Sequence, residues 1–594
     1  MMLETIRNFV IISHVDHGKS TLADRFLELT GTISKGKMRD QFLDRMSLEQ
    51  EKGITIKMHP VCMEYSWQGK SWRLNLIDTP GHVDFSYEVS RALAAAEGAI
   101  LLVDASQGIQ AQTLANLRMA QEQGLVILPV VNKIDLPQAE VEKARTEIAS
   151  IINVPEDSVS LISAKNGTGV EELLHRVIQE IPSPKKEEGG FRGLVFDSEY
   201  DPFQGVIAYL RIFNGSIKEG DRFLLKATEA RGEVKQVGIF RPELVSSELL
   251  SAGNIGYIAT GFKESGWVRV GDTLALEGQE VSPLLGYQEI QPMVFNGLYA
   301  RDEGGFLLLK SSLEKLRLND PALTFELEKR EGLGKGFRVG FLGLLHAEIT
   351  ARRLEEEFGL SLVITSPMVN YRVKYVGQLP KIINSAADWP EASKMEWAEE
   401  PWVELKVVVP NRWLGQAMEV LSHLDGIFCE QQYLQSERFV LIYQAPLRCV
   451  MAGFSDSLKG ATEGHASASY HPIDYRRADL VKLEILIASE AKESLSRIIA
   501  RQDAYREARQ AVDRLKEILP SQQFAVIIQG MVENKIIARQ TIAARKKNVT
   551  APLYGGDWSR KKKLLVKQRE GKKRLAKFGR VELTPDIFLK MLKS

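Results

Sequence analysis

Ser13-His14-Val15-Asp16-His17-Gly18-Lys19-Ser20-Thr21 follows the apolar run Phe9-Val10-Ile11-Ile12 and precedes a helical pattern, Leu22 to Leu29, that stops at Gly31. Strand, loop and helix in that order are the setting a phosphate-binding loop needs. Backbone N–H groups of the loop and the positive end of the helix dipole both face a bound phosphate. Lys19 has the reach for β- and γ-phosphates, and the Ser20 hydroxyl suits Mg²⁺. Ser13 stands where the motif asks for Gly, and it is small enough to keep the turn. The same letters also describe a glycine turn before an ordinary helix, so residues further along must decide.

Buried strands are expected at 74–78, 99–104, 126–131 and 159–162, with helical patterns at 85–96, 112–123, 140–151 and 170–181. This alternation predicts a doubly wound α/β domain with its ligand at the carboxyl ends of the strands. The strand ends carry matching chemistry in order. Asp78-Thr-Pro-Gly81-His82 closes one, with Asp78 placed to hold Mg²⁺ through water and the Gly81 N–H placed to meet a γ-phosphate. Asn132-Lys133-Ile134-Asp135 closes another, and a carboxylate at Asp135 accepts from N1–H and the exocyclic amine of guanine, a donor pair adenine lacks. Ser163-Ala164-Lys165 closes the last and offers a backbone N–H to the guanine oxygen. Between loop and Asp78, Thr55 is placed to ligate Mg²⁺ and fold its segment over the nucleotide. Expected nucleotide contacts are therefore Asp16, His17, Gly18, Lys19, Ser20, Thr21, Gly81, Asn132, Lys133, Ile134, Asp135, Ser163, Ala164 and Lys165, with GTP or GDP and Mg²⁺ as ligands. A guanine-nucleotide switch fits; an ATPase or metabolic kinase does not.

The 594 residues exceed what one core supports. Formal net charge is zero, but residues 535–580 hold sixteen Lys and Arg against Asp557 and Glu570, so the rest must be acidic by about fourteen charges. That asymmetry points to a polyanion partner at one end. Cys62, Cys429 and Cys449 are far apart and show no CxxC spacing, which fits a reducing cytosol and neither zinc nor a disulfide framework. No signal-peptide pattern and no run of eighteen apolar residues is present, so a cytoplasmic chain without a membrane span is expected.

His14-Val-Asp-His-Gly-Lys-Ser20, Gly53-Ile-Thr-Ile56, Asp78-Thr-Pro-Gly-His-Val-Asp-Phe85 and Asn132-Lys-Ile-Asp135 resemble the translational GTPases, most closely the LepA family. The resemblance implies that His82 swings toward the attacking water when a ribosome engages the switch, past an apolar gate formed by Val15 and Ile54. Phosphoryl transfer asks mainly for positioning and charge stabilisation, so a partner that only moves a His is a sufficient activator. Ser13 replaces the family's usual Ala, and Gln50 with Lys52 replaces a pair of Arg.

Five domains are expected: a P-loop domain (1–184), a β-barrel (190–282), an α+β domain (289–368), a second α+β domain like the fifth of elongation factor G (400–482), and a basic C-terminal domain peculiar to the LepA family (483–594). The two α+β domains are expected to be ferredoxin-like. Residues 375–400 read as a hinge where elongation factor G carries its tRNA-imitating domain, and 491–519 read as one long helix. Gly460 to Tyr470 departs from the family pattern, and His465 there reads as a surface residue. In the tail, Lys535, Arg539, Arg545, Lys546, Lys547, Arg560, Lys561, Lys562, Lys563, Lys567, Arg569, Lys572, Lys573 and Arg574 would neutralise phosphates while Tyr554 and other aromatics stack on bases. The expected partner is RNA, as ribosomal RNA and tRNA on the 70S ribosome, not DNA. An anionic membrane surface would attract the same patch, giving a peripheral membrane pool. Off the ribosome a monomer is expected. Family resemblance implies back-translocation of tRNAs on elongating ribosomes in support of fidelity; a ribosome assembly or initiation factor timed by GTP fits the same residues.

Overall fold

The computed structural model describes residues 3–33, 41–44, 46–185, 188–284, 292–302, 304–330, 333–365, 367–434, 438–492, 495–545 and 558–578. Two compact units emerge: residues 1–291, 314–322 and 403–472 form one, and 292–313, 323–402 and 473–594 the other.

The first unit opens with strand β1 (Ile6–Ser13), helices α1 (Lys19–Leu29) and α2 (Ser47–Lys52), and strands β2 (His59–Trp67) and β3 (Lys70–Asp78). Helix α3 (Ser86–Ala94), β4 (Gly98–Asp104), α4 (Ala111–Glu122), β5 (Val126–Asn132), α5 (Val141–Ile152), β6 (Ser160–Leu161) and α6 (Val170–Glu180) follow. The strands form one sheet in the order β2-β3-β1-β4-β5-β6, with only β2 antiparallel to its neighbour.

Every position of β1 is buried. Period-two alternation sends Phe9 and Ile11 into one apolar layer and Val10 and Ile12 into the other. The first layer takes Leu22, Ala23, Phe26 and Leu27 of α1 with Leu173, Leu174 and Val177 of α6. The second takes Val89 and Leu93 of α3 with Leu117 of α4. Parallel register pairs Ile11 with Asp78 and Asp104 with Asn132, which sets the strand-end residues along one rim.

Strands from Arg192–Asp201 to Thr273–Leu276 build an all-antiparallel eight-stranded sheet wrapped on its own core, including Val195, Leu210, Phe223, Val237 and Leu274. Its outer Phe196, Tyr209, Phe240 and Tyr257 join the apolar layer beneath α3. Residues 403–472 add the strands Ile427–Leu434 and Arg438–Pro446 beside the long strand Met395–Pro410, with helices Leu414–Ser422 and Phe454–Ala461.

In the second unit, Thr324–Arg330, Gly334–Phe341, Val294–Ala300 and Leu362–Ile364 form a sheet in that order, accompanied by Leu344–Phe358. Residues 375–400 are not a hinge throughout. Tyr371–Tyr375 pairs with Lys381–Ile383 and with the start of Met395–Pro410, where alternating burial and cross-strand partners hold the chain extended. The helix expected over 491–519 also shortens. Arg497–Ala500 is a strand paired with Leu480–Leu483, because the β-branched Ile498 and Ile499 fill a sheet. Helix Ala504–Ile518 begins only where Ala504, Ala508, Ala511, Val512 and Leu515 establish a buried stripe. A hairpin, Val526–Val532 with Lys535–Ile542, and a helix, Trp558–Phe578, complete the described chain.

Candidate nucleotide site

The loop between β1 and α1 is locked from two sides. Gly18 has φ 96°, and a Cβ there would lie 2.5 Å from Asn132 Nδ2. Asn132 needs that approach, because its Nδ2 donates to the His17 carbonyl at 2.9 Å while its Oδ1 accepts from the Ala164 N–H at 2.9 Å. One buried amide thus ties the phosphate loop to the loop after β6. Lys133 ties the phosphate loop to the end of β4, with Nζ donating to the Asp16 carbonyl at 2.6 Å and lying 2.8 Å from Asp104 Oδ2. Asp135 is exposed, accepts from Ser163 Oγ at 2.7 Å, and is held below the usual carboxylate range chiefly by that bond. Ile134 N–H donates to the Ile162 carbonyl at 3.4 Å.

A cavity of about 170 Å³ lies over the loop, lined by Asp16, Gly18, Lys19, Ser20 and Thr21 together with Gly53, Thr55, Gly81 and the expected gate pair Val15 and Ile54. Lys19 is buried and donates to Ser13 Oγ and the His14 carbonyl, both at 3.3 Å. Ser13, the odd residue of the motif, therefore serves as a partner of this lysine. Burial lowers the Lys19 ammonium, opposed by Asp78, Asp44 and Asp16. Gly81 fits against the lysine: a Cβ there would come within 2.6 Å of Nζ.

Ser20 Oγ and Thr55 Oγ1 are 3.2 Å apart, and Thr55 donates to Asp44 Oδ1 at 3.0 Å. Asp78 is fully buried. Burial first, and then the Asp44 charge, push its carboxyl well up from the ordinary range. Asp44 is raised by burial and by Glu49. Asp78 Oδ2 and Asp44 Oδ2 are both buried without a hydrogen bond. Hydroxyls and orphaned carboxylate oxygens are the donor set of a hard divalent cation. Among the described residues no cluster of three His, Cys, Asp or Glu side chains could hold a metal ion. A cation here would therefore draw ligands from hydroxyls, Asp78 and phosphate.

Asp44 escapes sequence reading, having no motif of its own. Glu49 is the second such residue: its Oε1 accepts from the N–H of Ile56 at 2.9 Å and Lys57 at 3.2 Å, and its Oε2 from Met46 at 3.0 Å, pinning the Thr55 segment. No capping signature marks it in the sequence, because Met46 stands where a capping box has Ser or Thr, although Glu49 reaches back to the Met46 N–H.

Both loop histidines turn inward. His17 is buried against the Leu102 carbonyl and the Asp104 N–H, and burial holds it well below its usual value. Burial and Lys19 bring His14 to about 4. His82 is not among the residues lining the cavity. Its Nδ1 accepts from the Asp84 N–H at 3.2 Å and lies 3.8 Å from Asp84 Oδ1. Burial lowers it, so the ring is neutral near pH 7.

In the tail, Lys535 and Arg539 project from the hairpin, and Arg545 follows it; all three are exposed. Lys561, Lys562, Lys563 and Lys567 lie on helix Trp558–Phe578, with Lys562 Nζ 4.9 Å from the ring centre of an exposed Trp558. Arg560, Arg569, Lys572, Lys573 and Arg574 belong to the same helix by backbone. Lys546, Lys547 and Tyr554 lie outside the described residues. A first turn with no acid and several cations opposes the helix dipole at a cost of roughly 0.3–1 kcal/mol per charge, which argues that the charge serves a ligand.

The fold and its strand-end residues suit a P-loop GTPase, and the chain's similarities place it among the translational GTPases. Residues 4–183 match the elongation factor Tu GTP binding domain, 397–486 the elongation factor G C-terminus, and 487–593 the GTP-binding protein LepA C-terminus. Elongation factor 4 of Halalkalibacterium halodurans is 47% identical over 591 residues, covering 99% of this chain and 97% of that one. The same factor of Syntrophomonas wolfei is 46% identical over 595 residues, with 100% and 99% covered. The chain belongs to the elongation factor 4 (LepA) family. A crystal structure of a Thermus thermophilus protein superposes with TM-score 0.56 at 18% identity, covering 80% of this chain and 97% of that one, which bears on the fold alone.

Proposed function

We propose that this chain hydrolyses GTP under the control of the ribosome, with Lys19 on the phosphates, Asp135 reading guanine and His82 completing the site. Asn132 acts by holding the phosphate loop against the 163–165 loop. Ser20, Thr55 and, through water, Asp78 would hold Mg²⁺, which supplies charge neutralisation at the phosphates; Asp44 positions Thr55. The observation that carries the reading is His82 engaged with Asp84 and outside the cavity lining, beside an otherwise assembled phosphate site. An external partner is then needed to bring it in. The test is GTP hydrolysis with and without 70S ribosomes: strong stimulation is expected, and equal rates would sink the reading. In the cytoplasm the factor would act as a monomer until it meets the ribosome, and the tail would bind ribosomal RNA or tRNA there. Its part in elongation would be back-translocation of tRNAs.

Two further outcomes are expected. Raised carboxyls at Asp78 and Asp44 give a stability contribution that is complete below the ordinary carboxylate range and is lost as pH rises through the raised values. A cation reverses that cost, so binding Mg²⁺ with GTP at pH 7 should release protons. Calorimetry in buffers of different ionisation heat reads the release, and Asp78→Asn should shrink it. Replacing Lys561, Lys562, Lys563 and Lys567 together by Gln should weaken RNA binding and reduce the slope of log K against log salt by about 3.

A further inference from the structure

Residues 403–472 dock on the nucleotide-binding domain within the first unit. Arg438 Nη1 donates to the Ile109 carbonyl at 3.0 Å, and Nη2 donates to that of Gln107. Ser467 Oγ accepts from the Ala111 N–H at 2.9 Å, and Ser469 Oγ donates to the Ala111 carbonyl at 3.5 Å. Val408 and Val440 pack on Ala111. These contacts grip the start of α4. A further one reaches the switch itself: Tyr470 Oη donates to Asp84 Oδ1 at 3.4 Å. Burial and Asp84 hold the phenol well above its ordinary value, so it is a donor at neutral pH. Asp84 in turn holds His82 through its backbone N–H, which donates to Nδ1 at 3.2 Å, while its carboxylate oxygen lies 3.8 Å from the same nitrogen. Lys459, from the same docked segment, adds positive potential at both His82 and His14.

We infer that Tyr470 is a positioning residue for hydrolysis: it holds Asp84, Asp84 holds His82, and the docked 403–472 segment thereby keeps His82 away from the phosphate cavity. The inference rests on the reading that His82 completes the site. A partner that displaces this segment frees Asp84 and lets the histidine populate its working position. Tyr470 and Asp84 are 386 residues apart, so the bond reports whether the two parts are docked.

Without ribosomes, Tyr470→Phe should raise kcat about fivefold, the worth of one hydrogen bond, and leave KM for GTP unchanged. Loss of packing alone would not raise kcat. In a His82→Ala background the rise should vanish. Ser467→Ala and Ser469→Ala loosen the docking without touching Asp84 and should change kcat less than about twofold. Asp84→Asn, which weakens the same bond from its other end, should reproduce the rise and stands in if Tyr470→Phe does not fold. An unchanged kcat in a folded Tyr470→Phe chain, a rise that survives His82→Ala, or an equal rise in the serine variants would overturn the inference. Failure of the His82 reading shows separately, as full ribosome-stimulated hydrolysis by His82→Ala alone.

Discussion

His82→Ala should lower ribosome-stimulated GTP hydrolysis by about 10³-fold, the scale of losing one group that acts in the transition state, while GTP affinity stays within about twofold. The split follows from placement. His82 does not line the phosphate cavity, and its Nδ1 is engaged by the Asp84 N–H, so it contributes nothing to holding the ground state. In its resting place burial lowers the ring's pKa; at the attacking water an imidazole can orient by hydrogen bonding. His82→Gln retains a polar group of similar reach and should recover part of the rate. Single-turnover hydrolysis at saturating ribosomes gives kcat, and fluorescent-nucleotide titration gives affinity. A matching loss in both would mean that His82 binds substrate and does not await a partner.

What the sequence disclosed followed from locality. The phosphate loop, Asp78 and Asn132 are legible because each ends a strand whose closing apolar run is buried, and parallel register then lines the ends up; Ser163 follows the short, half-buried edge strand β6. The roles that stayed hidden depend on contacts across long separations. Asn132 reads from its motif as a guanine contact, yet its amide is spent on His17 and Ala164. Asp44 matters only because its segment folds back onto Thr55. Ser13 looks like a departure until Lys19 is found on its hydroxyl. The error at 491–519 has another cause. Helical spacing from Ala504 onward is strong enough to hide the preceding Ile498-Ile499 pair, and only its partner strand, Leu480–Ile487, shows that those residues belong to a sheet.

Nucleotide choice offers the sharper test of how the rim reads its ligand. Asp135→Asn should weaken GTP binding on the order of 100-fold, because the amide cannot accept from both N1–H and the exocyclic amine as a carboxylate does. The loop should survive the change: Ser163 Oγ can donate to the amide oxygen as it does to Oδ1, and the Asn132 clamp is untouched. Affinity for xanthosine triphosphate, whose oxygen replaces the exocyclic amine, should rise, since the amide N–H₂ now meets an acceptor. Stimulated hydrolysis of that nucleotide should approach the wild-type rate with GTP, because Lys19, Thr55, Asp78 and His82 act on phosphates common to both. Recovery of turnover along with binding would assign Asp135 to base recognition alone. Tight binding of xanthosine triphosphate without turnover would mean instead that the 132–135 loop also sets the phosphate loop, through the two bonds Asn132 makes to it and to Ala164.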